Sequence, residues 1–344
     1  MSRVLANSAE SRVDRIGLTS SLLVRARSSL NRIENSNLPV AMKTLARLTR
    51  RAGRAVLSGA HSIQRTLAPR TIKSEVIFPI RNVFLRHKPL TVEAGGLSYV
   101  LVAEGAVAKQ MWAGRYFERH ELEFVLSVLE PGMTFVDVGA NVGMFAIPGA
   151  KKVKDGRVLA FEPTPWTYGR LVRNARLNGI TNLEAIHCAL GDYAGDAVLQ
   201  VNEVGKDGLN TIGRPTHGDS KVVATERVPM ARLDDVLRER GISHVDVIKI
   251  DTEGAELFVL RGAEHLLQAS DAPVILYEGG VMSKGFDYHP VESMWVLQKY
   301  GYSVFILDSN SGRISIPNDS TYDANRIAVK ASHPAYVRVK ERVS

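Results

Sequence analysis

The 344-residue chain has a single cysteine, Cys188. It can close no internal disulfide and offers no CxxC or Cys/His cluster for zinc, a pattern that fits a reducing compartment. No apolar run reaches the roughly 18–20 residues that a bilayer-spanning helix needs. The first thirty residues also lack a secretory pattern, since Asp14 and Arg15 interrupt any apolar segment there. Internal repeats and low-complexity tracts are missing as well, which argues against solenoid and fibrous architectures. The expectation is a cytoplasmic protein, with peripheral attachment at the inner membrane surface as the alternative.

What is present is the composition of a folded globular protein, with 45% hydrophobic and 23% charged residues. The net charge of +8 is unevenly placed. Residues 1–75 carry 14 Lys/Arg against Glu10, Asp14, Glu34 and Glu75, so the remainder is slightly acidic. A basic head on a near-neutral body argues against a nucleic-acid-binding catalytic face. Within the head, Ala41, Leu45, Leu48, Ala52 and Val56 recur at helical spacing, with Arg47, Arg50, Arg51 and Arg54 opposite. This basic amphipathic helix near 40–57 has two uses: packing on the body, or peripheral membrane attachment or self-association.

Four segments follow from the patterning: a basic, partly helical 1–75, a small β element at 76–114, a main domain at 115–332 and a tail at 333–344. In the β element, Leu90, Val92, Gly95-Gly96 and Tyr99–Val102 read as two strands around a glycine turn. Downstream, β-rich runs at 134–138, 157–161, 183–188, 245–250, 273–277, 302–307 and 326–330 alternate with helical stretches at 116–129, 166–178, 231–240, 254–269 and 290–300. Strands separated by helices predict an α/β fold with a doubly wound, mainly parallel, Rossmann-like sheet. The last two strands are joined without a helix, which predicts a terminal antiparallel hairpin.

In such a sheet, ligands bind at the carboxyl ends of the strands, where helix N-termini present backbone N–H groups. The first strand ends in Phe135-Val-Asp-Val-Gly-Ala-Asn-Val-Gly143. Gly139 and Gly143 permit a tight turn, and Asp137 puts a carboxylate at the mouth. This is DxGxxxG, not the GxGxxG that receives a dinucleotide pyrophosphate, so an NAD-dependent oxidoreductase is the weaker enzyme reading. An acidic loop suits the ammonium and sulfonium of S-adenosylmethionine. Glu162, at the end of the second strand, is placed to accept hydrogen bonds from two ribose hydroxyls. Asp192 after the third strand is placed for an adenine amino group, although Gly191-Asp192 is also an ordinary turn.

The fourth strand runs into Asp251-Thr-Glu-Gly-Ala-Glu256. Carboxylates crowded within about 4–6 Å raise each other's pKa, a costly arrangement that points to function. Glu253 is the first candidate for general base and Asp251 the second. His217, in a Gly/Pro-rich loop, is a third. Glu256 reads as a solvent-facing residue at the start of the next helix. Asp251 and Glu278 are two hard oxygen ligands, too few for a metal, and none is expected.

Val136-Asp-Val-Gly-Ala-Asn-Val-Gly143, Phe161-Glu-Pro163, Ala189-Leu-Gly-Asp192, Leu233-Asp-Asp235, Ile248-Lys-Ile-Asp-Thr-Glu-Gly-Ala-Glu256 and Val259-Leu-Arg-Gly-Ala263 together resemble the FkbM-type methyltransferases. The resemblance covers roughly 115–330. It implies a seven-strand sheet, S-adenosylmethionine as methyl donor, and a small-molecule or glycan acceptor such as a sugar, glycolipid or polyketide hydroxyl. It also implies that Asp137, Gly139, Asn141 and Gly143 hold the methionine end, Glu162 the ribose, and Asp251 with Glu253 the reaction face. Pro148 departs from it and predicts a lost hydrogen bond and a bend in the helix after the loop. A noncatalytic scaffold that docks through the basic head is the reading from a different class.

Overall fold

A computed structural model describes residues 78, 82, 89–103, 105–216, 218, 221–317 and 324–343. The basic amphipathic helix near 40–57 and the candidate base His217 lie outside the described residues. Pro89–Met111 and Arg115–Ser344 form one compact unit. The β element therefore belongs to the main domain. Its strands β1 (Leu90–Ala94) and β2 (Leu97–Leu101) pair antiparallel. Asn174 and Asn178 hold the hairpin by accepting the Val100 and Ser98 amides at 2.8 Å each.

The chain continues through α1 (Ala106–Trp112), α2 (Arg119–Val128), β3 (Thr134–Val138), α3 (Ala146–Val153), β4 (Arg157–Phe161), α4 (Pro165–Leu177) and β5 (Leu183–Ile186). Next come β6 (Ala189–Leu190), β7 (Gly195–Asn202), β8 (Val222–Ala231), α5 (Leu233–Glu239) and β9 (Val247–Ile250). The last elements are α6 (Glu256–Arg261), α7 (Glu264–Gln268), β10 (Val274–Gly279), α8 (Val291–Lys299), β11 (Tyr302–Leu307), β12 (Ile314–Ser315), β13 (Ala324–Lys330) and α9 (Ala335–Glu341).

The main sheet has the order β12-β11-β13-β10-β9-β3-β4-β5. β5, β4, β3, β9 and β10 are mutually parallel, and β13 pairs antiparallel with both β10 and β11. The expected antiparallel edge is there, with β13 tucked inside β11 and the short β12 added outside. One strand path runs outward through β4 and β5, and the other leaves through β9 and β10. The topological switch therefore falls between β3 and β9, where ligands bind in open α/β sheets. One face of the sheet buries Val136, Val138, Ile248, Ile250, Ile275 and Tyr277 in a core shared with Leu237, Leu260 and Leu297. The other face lies under α2 and α3.

Three features depart from the patterning. β7 and β8 form a long antiparallel ribbon, joined by β6 into a separate three-stranded sheet. The helix expected at 254–269 is two helices, broken at Gly262, where a Cβ would fall on the Gly191 carbonyl. The second of them starts on a carboxylate, because Asp234 accepts the amides of His265 and Leu266 at 2.8 and 3.1 Å. Leu233-Asp-Asp235 and Val259–Ala263 are thus partners in packing and capping. Pro148 costs no helical hydrogen bond, because α3 begins at Ala146 and puts it in the first turn, where the amide has no intrahelical acceptor.

Candidate active site

The parallel strands end on one edge, and the residues that follow them line a single cleft: Gly139–Asn141 after β3, Glu162–Thr164 after β4, Cys188–Leu190 after β5 and Asp251–Glu253 after β9. Its walls also include Glu118, Phe145, Lys249 and the 207–212 loop that follows β7.

The turn after β3 is held against its neighbours on both sides. The amides of Gly139 and Ala140 donate to the Phe161 carbonyl at 3.0 and 2.8 Å. Gly139 sits at φ 79°, and a Cβ there would fall on the Asp251 carbonyl. Only glycine lets the β3 and β9 loops approach this closely. Asn141 is also left-handed, at φ 49°, and this conformation aims its amide at Glu162. Gly143 is outside the cleft, packed against Ile147 and Leu171.

Glu162 is 6% exposed and still faces the cleft. Its Oε2 accepts the Asn141 amide and its Oε1 the Thr164 amide, both at 2.9 Å. Burial pushes its carboxyl up to about 7, against the pull of those amides. The Thr164 side chain bonds the same carboxylate as well, and a carboxylate's roughly four acceptor positions still leave room for a ligand. A carboxylate held in this way can accept from the hydroxyls of a vicinal diol. Asn210 donates to Thr164 Oγ1 at 3.2 Å and ties the 207–212 loop to the same corner.

Asp137 is placed differently from the expectation. It is fully buried and absent from the cleft lining, and its nearest backbone donor is the Ala146 amide at the start of α3. Strand alternation explains this, because Val136 and Val138 face the core of the opposite side and turn Asp137 toward α3. In register beside it stands Lys249 on β9. Burial raises the Asp137 carboxyl to about 6, Asp251 adds to the rise, and Lys249 opposes it.

Lys249 carried no role in the sequence reading, since it sits inside an apolar run that reads as strand core. It is 6% exposed, its Nζ is 3.0 Å from Asp251 Oδ2, and it lies 4.8 Å above the Phe145 ring. Burial alone lowers a lysine's pKa; here Asp251, Asp137 and Glu118 outweigh it and raise the value. A buried ammonium among carboxylates is a fixed positive charge at the floor of the cleft.

The turn at 251–254 is closed by Glu256, which is buried and not solvent-facing as its helix-start position suggested. Its Oε1 accepts the Thr252 amide and hydroxyl at 2.9 and 2.8 Å and the Gly254 amide at 3.2 Å. Tyr288 donates to the Gly254 carbonyl at 2.8 Å from the other side. The clamp brings Asp251 and Glu253 to the cleft, as expected. Glu253, however, is pushed up to about 10 by burial first, then by Asp251, Glu278 and Glu256. Crowding of this kind keeps a proton within the acidic corner, which counts against Glu253 as base; Asp251, held by the Lys249 ammonium at 3.0 Å, is the other candidate. Asp192 lies apart, in a separate open groove with Tyr193, Met230 and Phe286. The apolar side of the cleft is built instead by Cys188, Ala189, Leu190 and Leu199.

Residues 137–304 match the methyltransferase FkbM domain family. The chain is 30% identical over 201 residues to the methyltransferase sdnD of Sordaria araneosa, covering 51% of this chain and 76% of that one. It is 31% identical over 180 residues to the 31-O-demethyl-FK506 methyltransferase FkbM of Streptomyces tacrolimicus, covering 45% and 67%. The hexuronic acid methyltransferase AglP of Haloferax volcanii is 25% identical over 199 residues, covering 57% and 77%. The loop after β3, the buried Glu162 after β4 and the clamped acidic turn after β9 all lie inside the matched region, and the chain belongs to the FkbM family of methyltransferases.

Proposed function

We propose that the protein transfers a methyl group from S-adenosylmethionine to a hydroxyl of a small-molecule or glycan acceptor. The observation that carries the donor assignment is Glu162: a buried carboxylate at the end of β4, fixed by two backbone amides and lining the cleft. Glu162 takes the ribose diol, and Cys188, Ala189, Leu190 and Leu199 provide the apolar wall for the base. The 139–141 turn, with Glu118 and Asp251 near it, faces the cationic methionine end. Bound there, the donor supplies an activated methyl on a sulfonium and leaves as a neutral thioether.

The chain's own part is placement and proton removal. Holding the hydroxyl in line with the methyl group supplies roughly 7–11 kcal/mol of the barrier. As the O–C bond forms, the hydroxyl proton passes to Asp251, which Lys249 holds in position at 3.0 Å. The hydroxyl acceptor class is supported by the relative named for 31-O-demethyl-FK506, and a glycan acceptor by the one named for hexuronic acid, which carries hydroxyls and a carboxylate.

Calorimetric titration with S-adenosylmethionine, and separately with NAD, tests the donor. One-to-one binding of S-adenosylmethionine is expected, with no NAD signal. Tight NAD binding without S-adenosylmethionine binding refutes the assignment.

A further inference from the structure

Behind Asp251, away from the ribose corner, the cleft meets a second, small cavity of about 80 Å³. It is lined by Glu118, Glu121, Lys249, Asp251, Glu253 and Glu278, among others. Each of Asp251, Glu253 and Glu278 brings a carboxylate oxygen within 4.8 Å of the other two. Strand geometry makes this meeting, since Asp251 and Glu253 follow β9 while Glu278 ends the neighbouring β10. Sequence spacing pairs Asp251 with Glu278; the turn brings in Glu253 as the third.

A cluster of acids alone does not make a site. The independent observation is Glu121, which comes from α2 on the far wall. It is 2% exposed and lines the same cavity. Its Oε1 accepts Asn325 Nδ2 at 2.9 Å, and its buried Oε2 has no partner. Leaving a buried acceptor unpaired costs about 1–3 kcal/mol. Lys249 is engaged with Asp251 and does not reach Glu121, Glu253 or Glu278 in hydrogen-bonding geometry. Among the described residues, no donor reaches the carboxylates of Glu253 or Glu278. Once deprotonated, Glu253, Glu278 and the free oxygen of Glu121 therefore present acceptors to the cavity that its donors, Lys249 and Asn325, do not satisfy.

We propose that Asp251, Glu253 and Glu278 bind a hard divalent cation of the Mg²⁺ or Ca²⁺ type, with Glu121 accepting from a water on the ion. Such ions take oxygen ligands only. The volume is several times the roughly 10–15 Å³ that one water needs, so the ion keeps waters and an open position. Opposite ligands stand about 4.2 Å apart around Mg²⁺ and about 4.8 Å around Ca²⁺, so binding needs small side-chain rotations at most. The proposal rests on the methyl-transfer reading for its role: the open position takes the acceptor hydroxyl, coordination makes its proton easier to remove, and with Asp251 on the ion that proton leaves to a water in the cavity.

Mn²⁺ titration of the chelator-treated full chain, followed by the electron paramagnetic resonance of free Mn²⁺, tests the site without turnover. One Mn²⁺ per chain is expected, displaced by Mg²⁺ or Ca²⁺, with the preferred competitor identifying the ion type. Glu278→Gln and, as a second variant, Glu253→Gln weaken Mn²⁺ at least tenfold while keeping the wild-type circular dichroism spectrum. No uptake by wild type at about 1 mM, the weak end for such sites, overturns the proposal. Uptake unchanged in whichever variant folds also overturns it. S-adenosylmethionine calorimetry on the same wild-type sample separates the two readings. Donor binding without Mn²⁺ sinks the metal site alone, and Mn²⁺ binding without donor binding sinks the donor assignment.

Discussion

Glu162 and the Asp251–Glu253–Glu278 corner are both carboxylates at strand ends of one sheet, and they are treated oppositely. Glu162 receives two backbone amides from the turns beside it, so its charge is supported by the fold before any ligand arrives. At the acidic corner the fold supplies one ammonium, Lys249, to Asp251 and leaves Glu253 and Glu278 without donors. A carboxylate held by amides before a ligand arrives is preorganised, as the proposed ribose contact requires. The second stores electrostatic cost that a cation or a proton must relieve.

Removing Lys249 breaks the second region most severely. Lys249→Met leaves the fully buried Asp137 and the half-buried Asp251 without a counter-charge, and stability falls by about 3–5 kcal/mol at pH 8. Urea denaturation checks this, and the loss is smaller at pH 5, where protons replace the lysine. At the first region, Glu162→Gln must set an amide NH₂ against the Asn141 or Thr164 amide. Donor affinity then drops by about 10- to 100-fold at pH 8, one charged hydrogen bond's worth, as calorimetry reads it.

The two regions also set a pH dependence together. Glu118, Glu162 and Glu253 are raised to about 8, 7 and 10, chiefly by burial. Acids with raised folded pKa values bind more protons folded than unfolded, so stability falls as pH rises from about 5 to 8. Chelator-treated protein shows this slope in thermal melts, and Glu253→Gln flattens it. The smallest effect belongs to Pro148→Ala. The first-turn position predicts a change within about 1 kcal/mol in either direction, against about 3 kcal/mol for a proline that breaks a helix interior.

Much of this was legible in the sequence. The strand-to-glycine turn, Glu162 at the end of the second strand and the acidic turn are local features, because short loops keep such residues where the strand ends. What escaped depends on residues far apart in the chain. Lys249 looks like one more residue of a buried strand until Asp137 is placed beside it by register. Asp137 looks cleft-facing until the pleat turns it under α3. Glu256 looks solvent-facing until three donors from the 252–254 turn fold back onto it. The β7–β8 ribbon is hidden by the stretch at 203–221 that separates its strands and by Pro229 inside β8.

The preorganised carboxylate is the part of the account most directly open to measurement. S-adenosylmethionine affinity, titrated calorimetrically at pH 8 and pH 6, reads the charge on Glu162. With its pKa near 7, wild type weakens by about tenfold at pH 6, while Glu162→Gln is weak and nearly flat. Wild-type affinity that is equal at both pH values, or a Gln variant that falls in parallel with it, contradicts the assignment of Glu162 to the donor.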